Sequence, residues 1–370
     1  MDIKKEAYSK SIDVVRECCT KNGLYASAHG YTAIWARDSM ITFLGASLVK
    51  SNQFKECFRQ SLINLSKYQS SLGEIPNNID LWDRRRKHKV TFASIDSSLW
   101  YIIGMHLFAK RYNDSSLLRK YKKNISKALL WVEYQDAGKD GLPEQQPTTD
   151  WQDAFPHKYG HVLNTQALYY AALRLLKSKE AAKISKLVNG RVRKDLDFFD
   201  HHRKFYLPYI WKSHDEIREE AYWFDSLGNL LAIIFGLADE SKAKKIMEHI
   251  KKHKINRPYP VKALYPPLRK GTKQWNRYFE KSDARLPYHY LNGGVWPFIG
   301  GFYVLALIKY KKFREADKEL GKLAESMLKG NSPEWLDGRT GKPHGKMQAW
   351  NAGTYILAYE SLKKRKVLLF

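Results

Sequence analysis

The chain is 370 residues long, 44% hydrophobic and 14% aromatic, with a formal charge of +26. It contains no run of eighteen apolar residues and its start, MDIKKEAYSKS, holds no apolar stretch, so neither a spanning helix nor an export signal is expected. Lysines are mixed with Glu in segments such as KSKEAAKISK and KKIMEHIKKHK, a pattern of a solvated basic surface rather than a specific nucleic-acid platform, and zinc-finger spacings and RNP-like runs are absent.

Along the chain, apolar residues recur every three or four positions and long strand-like alternation is missing, which predicts an all-helical protein. The periodicity marks about twelve helices, near 5–20, 36–50, 53–70, 94–110, 115–134, 161–177, 180–202, 221–237, 241–252, 294–310, 312–329 and 346–364. Short turns such as KSNQ and ADES join helices two to three and eight to nine. Long loops rich in Gly, Pro and Trp precede every even-numbered helix. If consecutive helices form hairpins that close into a ring, those long loops all emerge at one end, where binding and catalysis usually sit. No linker or low-complexity run divides the chain, so one domain over 1–370 is expected.

The unusual residues collect in the same loops: WARD (Trp35 to Asp38), IDSSLW (Ile95 to Trp100), TTDWQDAF (Thr148 to Phe155), YWFDSLGN (Tyr222 to Asn229), YHYLNGGVWP (Tyr288 to Pro297) and PEWLDG (Pro333 to Gly338). Each pairs a carboxylate or amide with Trp or Tyr. Carboxylates and amides bond sugar hydroxyls directionally, and aromatic faces cover the C–H faces of a pyranose. Taken singly, each Asp could be a helix N-cap; the repetition at corresponding positions favours a pocket. Trp35, Trp151, Trp296 and Trp335 are expected to line it, with Trp223 and Asn292 from the neighbouring loops as further binding candidates.

Glycoside hydrolysis needs one carboxylic acid for the leaving oxygen and a second carboxylate that activates water or attacks directly. Asp153 lies among Trp151, Phe155 and Tyr159, an apolar setting that raises a carboxyl pKa and suits an acid. Glu334, in the last motif loop, is the candidate base. In an inverting pair the two stand about 6.5–9.5 Å apart, and Asp153 is expected to hold its proton while Glu334 is ionised. Twelve histidines invite a metal reading, but the adjacent His201 and His202 do not make a ligand set, and no metal or other cofactor is expected. GxSxG, P-loop and dinucleotide glycine patterns are missing. Cys18, Cys19 and Cys57 form no ligand spacing, and adjacent Cys18 and Cys19 are poorly placed to pair. A soluble cytoplasmic protein, with no membrane partner and with a homo-oligomer left open, is expected.

The ordered set WARD, IDSSLW, QALYYAAL, WFDSLGN, LYPP, NGGVWP, PEWLDGRTGK and QAWNAGTYILAY resembles the neutral/alkaline invertases, glycoside hydrolase family 100, over nearly the whole chain. The resemblance implies an (α/α)6 toroid of six helical hairpins with the acid on Asp153 and its partner on Glu334. It also implies glucosyl-binding roles for Arg37, Asp38 and Asp96, with Gln166, Trp296 and Gln348 lining or supporting the pocket. Two departures bear on substrate: WQDA (Trp151 to Ala154) is closer to the amylo-1,6-glucosidase domain of glycogen debranching enzymes, and Leu291 stands where invertases carry His. Hydrolysis of an α-glucosidic bond in sucrose or a small oligosaccharide is the leading expectation. Activity on α-glucans, or a non-hydrolytic phosphorylase or epimerase, is the alternative.

Overall fold

Thirteen helices carry the architecture, seen in a computed structural model that describes residues 2–81, 83, 87, 89–213 and 217–369. They are α1 (Ile3–Cys18), α2 (Ala36–Ala46), α3 (Asn52–Lys67), α4 (Ile95–Tyr112), α5 (Ser116–Lys120), α6 (Lys122–Glu133), α7 (Leu163–Leu175), α8 (Glu180–Val188), α9 (Ser226–Phe235), α10 (Glu240–Lys252), α11 (Pro297–Lys309), α12 (Phe313–Lys329) and α13 (Ala349–Lys363). Helix α2 packs on α4, α4 on α7, α7 on α9, α9 on α11, α11 on α13, and α13 back on α2. These six close an inner ring, and the remaining helices pack outside it, giving the expected all-α toroid of paired helices.

The sequence sorts helices between the two layers. Every residue of α2 and α9 is buried, as is all of α11 except Lys309, because an inner helix meets protein on all sides. The outer α10 buries only the stripe Ala243, Ile246, Met247 and Ile250, and α12 buries Ala316, Leu320, Leu323, Ala324 and Met327 along one face. Glycine brings the inner helices close. A Cβ on Gly353 of α13 would sit 2.3 Å from the Thr42 carbonyl oxygen of α2, and one on Gly45 would sit 1.9 Å from the Gly353 carbonyl oxygen. Backbone therefore touches backbone at the seam that closes the ring, and a side chain there would push it open.

The outer helices α1, α3 and α10 are capped by their own flanking side chains, Asp2, Ser51 and Asp239. The inner helices instead give an early N–H to a carbonyl of a neighbouring loop: Ala36 to Asn77, Ile95 to Thr149, Leu163 to Pro208, Ser226 to Ala263 and Ala349 to Ala26, all at 2.8–3.1 Å. Short strands reinforce this stitching, for example Ile34–Trp35 with Asn78–Ile79 and Phe224–Asp225 with Leu264–Tyr265. The inner N-termini thus share one rim, built from the motif loops.

Three boundaries differ from the sequence reading. The segment 115–134 is divided at Tyr121 into α5 and α6. The helix expected over 180–202 stops at Val188, because Gly190 adopts φ +62 where a Cβ would lie 2.5 Å from the Asp197 side chain, a left-handed terminator. Beyond it Phe199–Asp200 pairs with Phe205–Tyr206 as a hairpin. The helix expected from 221 begins at Ser226, since Phe224 and Asp225 are used as strand. Among the described residues no helix is long and apolar enough to cross a membrane.

Candidate active site

One cavity opens at the rim where the inner N-termini meet, lined by Tyr31, Trp35, Arg37, Asp38, Trp151, Asp153, Tyr290, Trp296, Glu334, Gln348 and Trp350, with Ala26. The structure therefore brings Trp35, Arg37, Asp38, Trp151, Asp153, Trp296, Glu334 and Gln348 together from four separate motif blocks and the start of α13. Three carboxyl groups, Asp38, Asp153 and Glu334, share the space.

The floor is a buried ion pair. Arg37 Nη1 lies 2.9 Å from Asp96 Oδ1 and 3.1 Å from Ser94 Oγ, while Ser94 Oγ donates to the same Asp96 oxygen at 2.6 Å. Both charged side chains are almost fully enclosed. Burial alone would lower the Arg37 pKa, but Asp96 and then Asp38 hold the guanidinium protonated. Asp96 thus acts beneath the cavity, on Arg37. Burial is also the main force on Asp38, lifting it to about 7 against the pull of Arg37.

Glu334 is partly buried, and its pKa is raised to about 7 by burial first and by the nearby Asp38 second, with the Tyr31 hydroxyl donating a hydrogen bond that offsets part of the rise. Its main chain is fixed by Glu334 N donating to the His344 carbonyl at 2.8 Å. Asn351 Nδ2 holds the Pro333 carbonyl at 2.5 Å while its Oδ1 accepts from Phe298 N at 2.8 Å, which ties this loop to α11 and α13. Gly345, at φ +66, comes so near that a Cβ would lie 2.7 Å from the Glu334 Cβ.

Asp153 stands at the mouth as an exposed residue, which departs from the expected aromatic enclosure. Its proton affinity is still raised, first by the dense protein around the carboxyl and then by Asp150 and Asp96, against the pull of Arg37. The loop beneath it is rigid. Lys158 Nζ, fully buried, lies 2.8 Å from Asp150 Oδ2 and donates to Gln152 Oε1 at 2.6 Å, and Gln152 N donates to Asp150 Oδ1 at 2.9 Å.

The aromatic wall consists of two groups of touching rings. Trp151 meets Trp296 edge to face at 5.7 Å, Trp296 meets Trp350 at 5.9 Å, and Tyr31 meets Trp35 at 6.1 Å. The Trp296 indole N–H is used by the Tyr290 carbonyl at 3.1 Å. Those of Trp35, Trp151 and Trp350 are buried with no partner among the described residues, so three donors remain free near the cavity.

Four candidates lie elsewhere. Trp335 opens a short strand with Leu336 and lies outside the lining, stacked on His344 at 3.9 Å with its edge partner His289 at 4.6 Å. Asn292 spends its carboxamide on Leu268 and Ala284 at 2.8–3.0 Å, folding its own loop. Gln166 is buried and donates to the Pro143 carbonyl at 2.7 Å, and Trp223 is buried outside the lining. Tyr31, Tyr290, Trp350 and the supporting Asn351 escaped the sequence reading, although the first lies four residues before Trp35 and the other three fall inside the quoted motif blocks. His249 and His253, four apart at the end of α10 with rings 4.3 Å apart, have a ligand-like spacing that was also overlooked. Among the described residues no third ligand joins them.

Comparison with known proteins places this arrangement. The profile of the family "alkaline and neutral invertase" matches residues 214–365. Neutral/alkaline invertase 1, mitochondrial, of Oryza sativa is 27% identical over 322 residues, covering 71% of this chain and 50% of that protein. Alkaline/neutral invertase C, mitochondrial, of Arabidopsis thaliana is 25% identical over 329 residues, covering 74% of this chain and 49% of that one. The chain thus spans about half the length of these relatives. In fold, the mannosylglycerate hydrolase of Thermus thermophilus aligns with a TM-score of 0.72 at 15% identity, covering 95% of this chain and 99% of the other. A bacterial glucoamylase complexed with acarbose gives 0.66 at 14% identity, covering all of this chain and 57% of its own. This chain is an all-α toroid of six helical hairpins whose sequence resembles the alkaline and neutral invertases.

Proposed function

We propose that this chain is a single-domain glycoside hydrolase acting on an α-glucosidic bond of sucrose or a small oligosaccharide by inversion. The observation that carries the reading is the opening of Asp153 and Glu334 on one aromatic-lined cavity above the Arg37–Asp96 pair. Asp153 at the mouth donates its proton to the departing glycosidic oxygen. Glu334, deeper in the wall, takes a proton from the water that attacks the anomeric carbon, so that one water is consumed and two free hydroxyls result. Asp38, Gln348 and the free indole N–H groups suit the sugar hydroxyls, and the rings of Trp151, Trp296 and Trp350 suit its C–H faces.

Neighbouring carboxyls titrate together. A proton on Asp153 is favoured when Glu334 and Asp38 are ionised, and the rise of Glu334 to about 7 supports a working pH on the neutral to alkaline side. Three cysteines without a disulfide suit a reducing compartment such as the cytoplasm. The test is a product screen of the purified chain on sucrose, trehalose, maltose, isomaltose, short α-glucans and aryl α-glucosides, with and without phosphate. Free glucose formed equally without phosphate supports hydrolysis. Glucose 1-phosphate formed only with phosphate, or no cleavage of any of them, overturns the proposal.

A further inference from the structure

The cations are unevenly placed. Two adjoining hollows share His253 and Tyr265; Arg203, Lys245 and Lys252 line the first, and Arg257, Arg269 and Arg339 line the second. Among the described residues lining both, Glu248 is the single acid, although the whole chain has 64 Lys and Arg against 38 Asp and Glu. A third hollow on the molecule shows the ordinary balance: Asp140, Glu144 and Asp195 sit among Arg193, Lys212 and Arg218, and Lys212 lies 3.4 Å from Asp195. In the basic groove, Arg203 pairs with Asp200 at 2.7 Å and Arg257 approaches Glu319 at 4.0 Å. Lys245, Lys252, Arg269 and Arg339 have no carboxylate within 4.0 Å among the described residues.

These charges are held in place. The Arg203 guanidinium lies 4.0 Å over the Tyr222 ring, and that of Arg339 lies 4.6 Å over Tyr288. Lys262, buried, donates to the carbonyls of Lys254 and Arg257, which pins the turn after α10 that carries the groove's junction. Like charges kept close without counter-charge repel one another, so a multivalent anion is the complement that the groove lacks. Guanidinium groups match phosphoryl oxygens in geometry as well as sign. The partly buried Tyr265 at the junction offers a ring face between the two clusters.

We propose that this groove binds a small organic phosphate with two or more anionic groups, its sugar or base ring against Tyr265 and a phosphoryl group in each hollow. The groove and the cavity draw on the same two loops, Tyr288 and Tyr290 from one and Arg339 and Glu334 from the other, and Gly338 N joins those loops by donating to the Tyr288 carbonyl at 2.8 Å. The proposal goes beyond the hydrolase reading and stands without it.

The test is calorimetric titration of the full chain with fructose 1,6-bisphosphate and with inorganic tripolyphosphate, ionic strength held constant with NaCl. We expect one site per chain, weakened at least about tenfold in Lys252→Gln/Arg269→Gln and unchanged in Lys123→Gln/Lys127→Gln, whose lysines are exposed on α6. Circular dichroism checks each fold, and single Arg339→Gln serves if the double variant fails to fold. No saturable binding, many equivalent sites, or equal losses in both double variants overturns the proposal. So does a short DNA duplex that binds more tightly than the bisphosphate and loses affinity in the same variant, since the groove would then serve a polymer.

Discussion

Replacing Glu334 by Gln should stabilise the fold while it destroys turnover, and the gain should appear only where the native carboxyl is charged. Burial and Asp38 lift Glu334 from an ordinary 4.5 to about 7. Between those two values the folded state binds a proton that the unfolded chain releases, so parent stability falls as pH rises through that window. Above about 7 the full cost of keeping the charge persists, roughly 3 kcal/mol for a rise of that size. Below the ordinary value both states are protonated and the cost vanishes. Gln has the shape of the neutral acid and its carbonyl can accept from Tyr31, so it escapes the penalty without opening a void. Unfolding entropy near 2.1 cal/mol/K per residue makes the gain about 4 °C in Tm for a chain of this length. Scanning calorimetry of both proteins from pH 4 to pH 9 should show curves that meet at the acid end and separate towards the alkaline end. Equal Tm at pH 8.5, or a difference that ignores pH, would refute the electrostatic account of this carboxyl. Parent activity should climb through about pH 7 as Glu334 loses its proton, with no comparable rise in the variant.

Asp153→Asn should cut turnover of unactivated glycosides by about 10²-fold or more, the usual worth of a general acid, yet spare much of the activity on a glucosyl fluoride, which needs no proton; equal losses on both substrates would remove Asp153 from that role. Gly345→Ala places a methyl against Glu334 at a left-handed backbone position, so kcat should fall severalfold with Asp153 chemistry intact, and a kinetically normal variant would show that the Glu334 position tolerates displacement. Gly353→Ala drives a Cβ into the Thr42 carbonyl of α2 and should cost about 1–3 kcal/mol, read as a lowered denaturation midpoint; unchanged stability would mean that the ring seam is looser than its backbone contact implies.

The ring was legible because inner and outer helices differ in sequence: α9 is apolar all round whereas α10 and α12 carry a single apolar stripe, and long loops alternate with short ones. The overrun past Val188 came from Phe198 and Phe199, whose apolar character extends the apparent period while the left-handed Gly190 has already ended the helix. At the cavity, the carboxylates and most of the tryptophans could be picked out because each motif loop marks them together. What a linear reading lacks is direction. Trp335 adjoins Glu334 in sequence yet stacks on His344 outside the lining, and the Asn292 carboxamide is consumed by its own loop. Tyr31 and Trp350 reach the site only because α13 packs back on α2, a consequence of closure that neither block contains by itself. Asp153 was expected among its sequence-adjacent aromatics, but Phe155 packs away from it on Phe279 at 4.4 Å, leaving the carboxyl at the open mouth.

The central claim is inversion by Asp153 and Glu334, and the first-formed sugar tests it most directly. Proton NMR of α-D-glucosyl fluoride incubated with the purified chain, recorded faster than the anomers interconvert, should show β-glucose appearing first, and Glu334→Gln should abolish the signal. Initial α-glucose would mean a retaining mechanism, and β-glucose formed at the parental rate by Glu334→Gln would place the base elsewhere.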